Sequence, residues 1–322
     1  MDALTAARAK NIRRSAHGHG IVNALMLFTT FCWASNIVAG KFALEGLSPL
    51  ALAQLRMGGA AILYGLLYLA WRGWPKLRLS RHQWLLLALM ALTGITLNQI
   101  GFIGGLARTS VTHTGLIQAI GPVLVLLLAS SMGLETLTGR KVAGMVISFA
   151  GVALLLFGKP APHSGAHWLG DLILIGAGAV FAYYTILMKG VADQYDTLTL
   201  NALVFGLGAI FLVPFCARSV AKVRWNQLSP HAWWGLGYMI VFGSFAAYLI
   251  FAFALQELSA STVAAFSYLQ PVMAAALGVW LLGERLSINA LFGGLLILAG
   301  VYLTERERGE HRHMKHLASG GV

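Results

Sequence analysis

The chain has 322 residues, of which 58% are hydrophobic and only 11% charged. That composition cannot cover a soluble surface, so the expected class is all-α integral membrane. The formal charge of +12 gathers in alternate loops between apolar runs, as the positive-inside rule expects of a membrane protein, so it is read as topology and nucleic acid is not expected as a partner.

Residues 1–20 read as a basic tail carrying Arg8, Lys10, Arg13 and Arg14. Ten apolar runs follow, at 21–40, 48–71, 82–106, 109–132, 139–157, 168–189, 197–217, 231–254, 260–282 and 288–304. Each is close to the roughly 20 residues an α-helix needs to cross a bilayer core of about 30 Å, and the ten-residue alternation of a membrane β-barrel is absent. Residues 305–322 form a second tail, whose His311, His313 and His316 read as a solvated patch rather than a metal site. Fifteen of the 23 Lys and Arg residues fall in one set of alternate loops and the two tails. By the positive-inside rule this places both termini in the cytoplasm of a cell with a multi-pass inner-membrane protein. The first run resembles a signal peptide, but its partner at 168–189 is internal, so it is expected to be retained. Cys32 and Cys216 both lie inside apolar runs, where neither a disulfide nor a metal site is expected.

The two halves repeat. A constant offset of 149 carries Pro122 to Pro271, Glu135 to Glu284, Gly144 to Gly293 and Gly151 to Gly300, and also His82 to His231, Trp84 to Trp233 and Gly94 to Gly243. The repeats are assigned to 21–157 and 168–304. Five spans per copy is an odd number, so the second copy enters the membrane from the opposite side, and the predicted architecture is two inverted five-helix repeats.

Polar groups at membrane depth mark the faces that avoid lipid. In the fourth run Ser110, Thr114 and Gln118 recur at spacing four with His113 alongside; the ninth gives Ser259, Thr262, Phe266, Ser267 and Gln270. Pro122 and Pro271 act as helix breakers that free the carbonyls of Gln118 and Ser267 on those stripes. Trp33 and Asn36, Asn98 and Gln99, Tyr184, and Tyr248 add polar or aromatic groups from other runs. Together they predict a neutral, aromatic-lined binding pocket for a small-molecule substrate between the fourth and ninth runs. Arg56 reads as a snorkelling or interhelical residue. Glu45, Glu135, Asp171, Glu257 and Glu284 all fall at run ends or in loops, which weakens a carboxylate proton relay. His113 could titrate near neutral pH or serve as a neutral hydrogen-bonding residue.

Trp33-Ala-Ser-Asn-Ile-Val-Ala-Gly-Lys41, Arg56 in the next run, and the blocks from Pro122 to Val152 and Pro271 to Val301 together resemble the EamA-type transporters of the drug/metabolite transporter superfamily over nearly all of residues 21–304. Ala34 stands where that signature has Gly, and Thr136 where the second copy has Arg285. The resemblance implies alternating access around a cavity lined by helices 1, 3, 4, 6, 8 and 9, and movement of small metabolites or drugs across a bacterial inner membrane. The expected function is a secondary transporter or facilitator of an amino-acid-like or other amphipathic solute, with efflux favoured and a monomer sufficient. The alternative is a proton-coupled antiporter that uses His113. An integral-membrane enzyme is disfavoured because no Gly-x-Ser-x-Gly, His-Glu-x-x-His or phosphate-loop motif occurs, and no cofactor is expected.

Overall fold

The computed structural model describes residues 3–73, 79–133, 137–157, 168–191, 196–257, 266, 269–300 and 302–303. Among these every regular element is helical. We label them α1 (Ala3–Leu44), α2 (Pro49–Arg72), α3 (Arg81–Met90), α4 (Asn98–Leu106), α5 (Val111–Gln118), α6 (Gly121–Ser131), α7 (Gly139–Phe157), α8 (Trp168–Val191), α9 (Thr197–Ala221), α10 (Pro230–Tyr238), α11 (Ala247–Glu257), α12 (Leu269–Leu282) and α13 (Ile288–Gly300). Two π-helical segments, Ala91–Leu97 and Met239–Ala246, join α3 to α4 and α10 to α11.

Seven helical runs among the described residues are long and apolar enough to cross a bilayer: Ile21–Leu44, Pro49–Arg72, Arg81–Leu106, Val111–Ser131, Trp168–Met188, Thr197–Ala221 and Pro230–Ala254. They make the chain an all-helical, multi-pass membrane protein. At the fifth, ninth and tenth predicted runs stand α7, of 19 residues, and the shorter apolar helices α12 and α13. α1 runs from Ala3 through the basic tail into the first apolar run.

Helix starts are fixed by short polar side chains that accept otherwise unpaired N–H groups. Ser80 and Gln83 form a reciprocal capping box on α3, and Ser229 caps α10 by accepting from the Ala232 N–H at 3.1 Å. Thr138 and Ser287 do the same for α7 and α13. Both pairs of caps, 80 with 229 and 138 with 287, are related by the repeat offset. Gly73, Gly133 and Gly283 end their helices at positive φ, where a side chain would clash with its own backbone.

The loops sort into two ends. Gly46 packs on Leu228 and Ala232, Gly170 on Arg108, and Glu284 on the start of α5, so these connections share one end, here called distal. Arg72 and Asp196 meet at 3.7 Å at the opposite, proximal end. On one flank α7 and α13 touch backbone to backbone. A Cβ on Gly151 would lie 2.6 Å from the Gly293 carbonyl and 2.9 Å from the Ile297 nitrogen, while one on Gly300 would lie 2.5 Å from the Ser148 nitrogen and closer still to the Gly144 carbonyl. Since 144, 148 and 151 map onto 293, 297 and 300, the seam is reciprocal. Small residues permit this approach, which supplies dispersion contact where lipid offers no hydrophobic driving force.

Candidate functional site

Among the described residues, two hydrogen-bonded groups of polar side chains inside the bundle bear on function. The first surrounds the π-helical segments. A π turn holds one residue more than an α turn and disturbs the regular carbonyl pairing. In Met239–Ala246 the carbonyls of Gly243, Ser244 and Phe245 are taken by donors from α2: Arg56 Nη2 reaches Gly243 at 3.3 Å, and the Tyr64 hydroxyl reaches Ser244 and Phe245 at 3.4 and 2.9 Å. Arg56, 3% exposed, also donates through Nε to Ser244 Oγ at 2.7 Å and through Nη1 to Gln99 Oε1 at 2.9 Å, and lies over the Phe102 ring. Gln99 Nε2 donates to Asn98 Oδ1, and Asn98 Nδ2 to the Ala177 carbonyl of α8. This chain of bonds ties α2, α4, α8 and the second π segment together, and the acceptors bonded to the guanidinium are all neutral. Arg56 therefore pairs between helices rather than snorkelling.

Both π segments carry a glycine against a side chain from the other half. A Cβ on Gly94 would lie 2.5 Å from Cγ of the buried Tyr184 ring, and one on Gly243 would lie 2.6 Å from Asn36 Cγ. Asn36 is 3% exposed, and its Oδ1 has no hydrogen-bond partner among the described residues. One turn away on α1, Trp33 packs edge-on against Tyr248 (centroids 5.7 Å) and against Phe251 (5.3 Å). Tyr248 also contacts Phe205, whose ring lies tilted against Tyr64. The orphan acceptor thus faces Gly243, and a largely aromatic group begins one turn away on α1.

The second group closes the distal end. Asp171, 1% exposed near the start of α8, accepts from Thr109 Oγ1 at 2.5 Å and lies 2.7 Å from His113 Nδ1. The Lys41 ammonium at the end of α1 donates to the Thr109 carbonyl. Glu284 accepts from the Val111 and Thr112 backbone N–H groups at 2.6 and 2.9 Å and from Thr112 Oγ1 at 2.7 Å, so it caps α5 from another part of the chain. A surface cavity of about 440 Å³ lies at the same end, lined by residues that include Glu45, Lys222 and Arg224, away from the π segments.

The residues expected to line one pocket are therefore distributed. Trp33, Asn36, Asn98, Gln99, Tyr184 and Tyr248 gather around the π segments. His113 stands at the distal end, in the first turn of α5, and was expected deeper. Gln118 ends α5 and is half-buried. The stripe it was expected to share is partly consumed locally: Ser110 Oγ accepts from the His113 N–H, and the Thr114 hydroxyl donates to the Ser110 carbonyl. Pro122 and Pro271 both sit in the first turn of a helix, after the break at Ala119–Ile120 in one case and at the start of α12 in the other. Gly115 packs on Pro271 and Ala274, which brings α5 against α12. Gln270 is half-buried in the first turn of α12. Phe266 packs against Val22, Met26 and Ala254, toward the proximal end of α1. Ser267 lies outside the described residues, as do Glu135 and Thr136 of the repeated block.

Sequence reasoning took Asp171 and Glu284 as ordinary run ends, named Lys41 only as part of the family signature, and missed both π segments. The repeated glycines Gly94 and Gly243 were the available signal for the latter.

The profile of the EamA-like transporter family matches residues 20–157 and again 168–306. An uncharacterized transporter of Archaeoglobus fulgidus is 32% identical over 285 residues, covering 87% of this chain and 96% of that one. A protein named as a probable terminal-alkyne amino-acid exporter, from Streptantibioticus cattleyicolor, is 26% identical over 283 residues, covering 87% and 92%. A solved crystal structure shares the fold with a TM-score of 0.61 at 17% identity, covering 88% of this chain and 97% of that one.

Proposed function

The chain belongs to the EamA-like transporter family, and from that premise we propose that it is a carrier of a small amphipathic solute with a hydrogen-bond donor, of amino-acid type, moved by alternating access with efflux favoured. Its relatives are named transporters, which supports a transporter rather than an enzyme. The observation that carries the substrate class is the unpartnered Oδ1 of buried Asn36. A buried acceptor left unpaired costs about 1–3 kcal/mol, so a bound ammonium, amide or hydroxyl would recover that free energy. Trp33, one turn away on α1, with Tyr248 and Phe251 against it, suits the apolar part of such a solute. The exporter name of one relative agrees with both the class and the direction.

The architecture in this reading is ten spans in two inverted five-helix repeats, with both termini in the cytoplasm of a bacterial inner membrane. The reciprocal seam of α7 and α13, the caps recurring at the offset of 149 and the paired π segments support the inversion. Gln118 and Gln270, on helices packed together through Gly115, are assigned to the path that the solute follows.

The test is counterflow in vesicles containing the purified protein, with a labelled panel of neutral and basic amino acids. Saturable exchange of at least one of them, reduced about tenfold in apparent affinity by Asn36→Ala, is the expected result. Exchange that is absent across the panel, or unaltered in Asn36→Ala, would refute the substrate class.

A further inference from the structure

We infer that Arg56 is the anchor for the carboxylate of the transported solute, which makes that solute an α-amino acid held as a zwitterion, its carboxylate on Arg56 and its ammonium on Asn36. The inference rests on the carrier reading above and deepens it by assigning the substrate's second charged group and the residue that selects it.

Arg56 is 3% exposed in the interior of α2, and a guanidinium keeps its charge throughout the physiological range. Three of its five N–H groups donate, to Ser244 Oγ at 2.7 Å, Gln99 Oε1 at 2.9 Å and the Gly243 carbonyl at 3.3 Å. All three acceptors are neutral, and the Phe102 ring, 5.8 Å from the guanidinium carbon, offers only its quadrupole. Among the described residues no carboxylate pairs with Arg56. A tie between helices needs donors, and a neutral amide would supply them. A full positive charge without a counter-charge at membrane depth adds a desolvation cost that the tie does not call for. An anion that arrives with the solute cancels it.

The placement fits one class of anion. One N–H remains on each terminal nitrogen, matching in number the two that a carboxylate engages in a bidentate pair. The bond to Gly243 is just beyond the ordinary length, so it is the one most readily exchanged for a carboxylate. Gly243 is also the residue that Asn36 packs against, where the missing Cβ would lie 2.6 Å from Asn36 Cγ. The uncompensated cation and the orphan acceptor Asn36 Oδ1 thus meet at one residue. An α-amino acid carries carboxylate and ammonium on a single carbon, and these are the complements of the two groups. An amine would leave Arg56 uncompensated, and a simple carboxylic acid would leave Asn36 unpaired, so each side chain rejects a different analogue. Both residues are shut from solvent in this arrangement, and the solute reaches them when the helices around Gly243 part, as alternating access requires.

The experiment measures selectivity rather than activity. Thermal unfolding of the purified protein in detergent is titrated with the neutral and basic amino acids of the panel, with the carboxamide of each, and with the deamino acid of each, in which hydrogen replaces the amino group. The shifts give apparent Kd ratios. The best-bound amino acid should exceed its carboxamide by at least about tenfold, the loss expected when a buried charge-assisted bond goes unmade. In Arg56→Gln that ratio should fall to within about twofold, while the preference for the amino over the deamino acid persists; Asn36→Ala should do the reverse. An Arg56 that only ties helices would weaken acid and carboxamide alike and leave their ratio intact, which overturns the inference. So does a wild type that binds carboxamides as tightly as acids, or that binds none of the three series. If Arg56→Gln fails to fold, Arg56→Lys decides: the ratio should narrow but still favour the acid, since the charge stays while the fork is lost, and an unaltered ratio overturns the inference. Counterflow decides the carrier reading separately: acid-selective binding with no exchange sinks the carrier and leaves the Arg56 site, whereas exchange with no preference for the acid sinks only the Arg56 site.

Discussion

Replacing Gly94 by alanine tests the contact between the first π segment and α8. The new methyl would sit 2.5 Å from Cγ and 2.7 Å from Cε2 of Tyr184. Ordinary carbon contacts fall at about 3.5–4.0 Å, so the overlap approaches 1 Å or more. The obstacle is the root and edge of a buried aromatic ring, which cannot swing aside as the tip of a long side chain can, so the helices must separate. Overpacking of this kind costs about 1–3 kcal/mol, or roughly five- to 150-fold in the folding equilibrium. Against it stands a helix-propensity gain of about 1 kcal/mol for alanine over glycine, which makes the test sharper because the two effects have opposite sign. Unfolding by denaturant in detergent micelles, followed by tryptophan fluorescence, would compare Gly94→Ala in the wild type and in Tyr184→Leu. We expect net destabilisation in the wild-type background, and neutrality or stabilisation once the ring is gone. Equal destabilisation in both backgrounds would show that the ring is not the obstacle and would refute the reasoning.

Other expectations address separate parts of the molecule. Gln118→Ala and Gln270→Ala should each raise the apparent Kd for the transported solute by about five- to 150-fold in counterflow at normal membrane abundance; unchanged affinity in both would remove them from the path. The Asp196 carboxyl is pushed up by partial burial, but bonds from Thr199 and Leu198 and the charge of Arg72 outweigh that and hold it below the ordinary aspartate value. Its capping contribution, about 1 kcal/mol, should be fully present above the unfolded value and fade as pH falls through the lower folded value; acid unfolding of Asp196→Ala should lack that limb. Cysteines placed singly at the exposed Lys222 and Arg72 should differ in intact cells, with an impermeant label reaching position 222 and not 72; the opposite pattern would invert the orientation read from the loop charges.

The apolar runs were legible because lipid imposes one requirement along a whole helix, so Pro49–Arg72 or Thr197–Ala221 could be bounded from residue types alone. The groups around the π segments were half legible. Asn36, Asn98, Gln99 and Tyr184 stood out as polar or hydroxylated residues in apolar surroundings, yet their partners could not be named. A register slip of one residue in Ala91–Leu97 has no signature in hydrophobic periodicity over so short a stretch. The distal cluster was not legible, because Lys41, Thr109, His113, Asp171 and Glu284 are brought together only by which helix ends meet. Read singly, Asp171 is an acidic residue in a first turn and Glu284 a loop carboxylate. The polar stripe through Ser110, Thr114 and Gln118 was correct as spacing, but two of its hydroxyls serve the backbone of their own helix.

The seam between Gly139–Phe157 and Ile288–Gly300 bears on how such a chain could arise. Each half supplies the same pair of features, a glycine that advances and a backbone groove that receives it, at Gly151 with Gly144 and Ser148, and at Gly300 with Gly293 and Ile297. A surface that carries both features is complementary to a second copy of itself turned by half a revolution, which is the defining property of an isologous dimer contact. The gene for one half would already encode a homodimer interface. Fusion of two such genes would add a covalent link to an assembly that held together before it, with no new contact to invent.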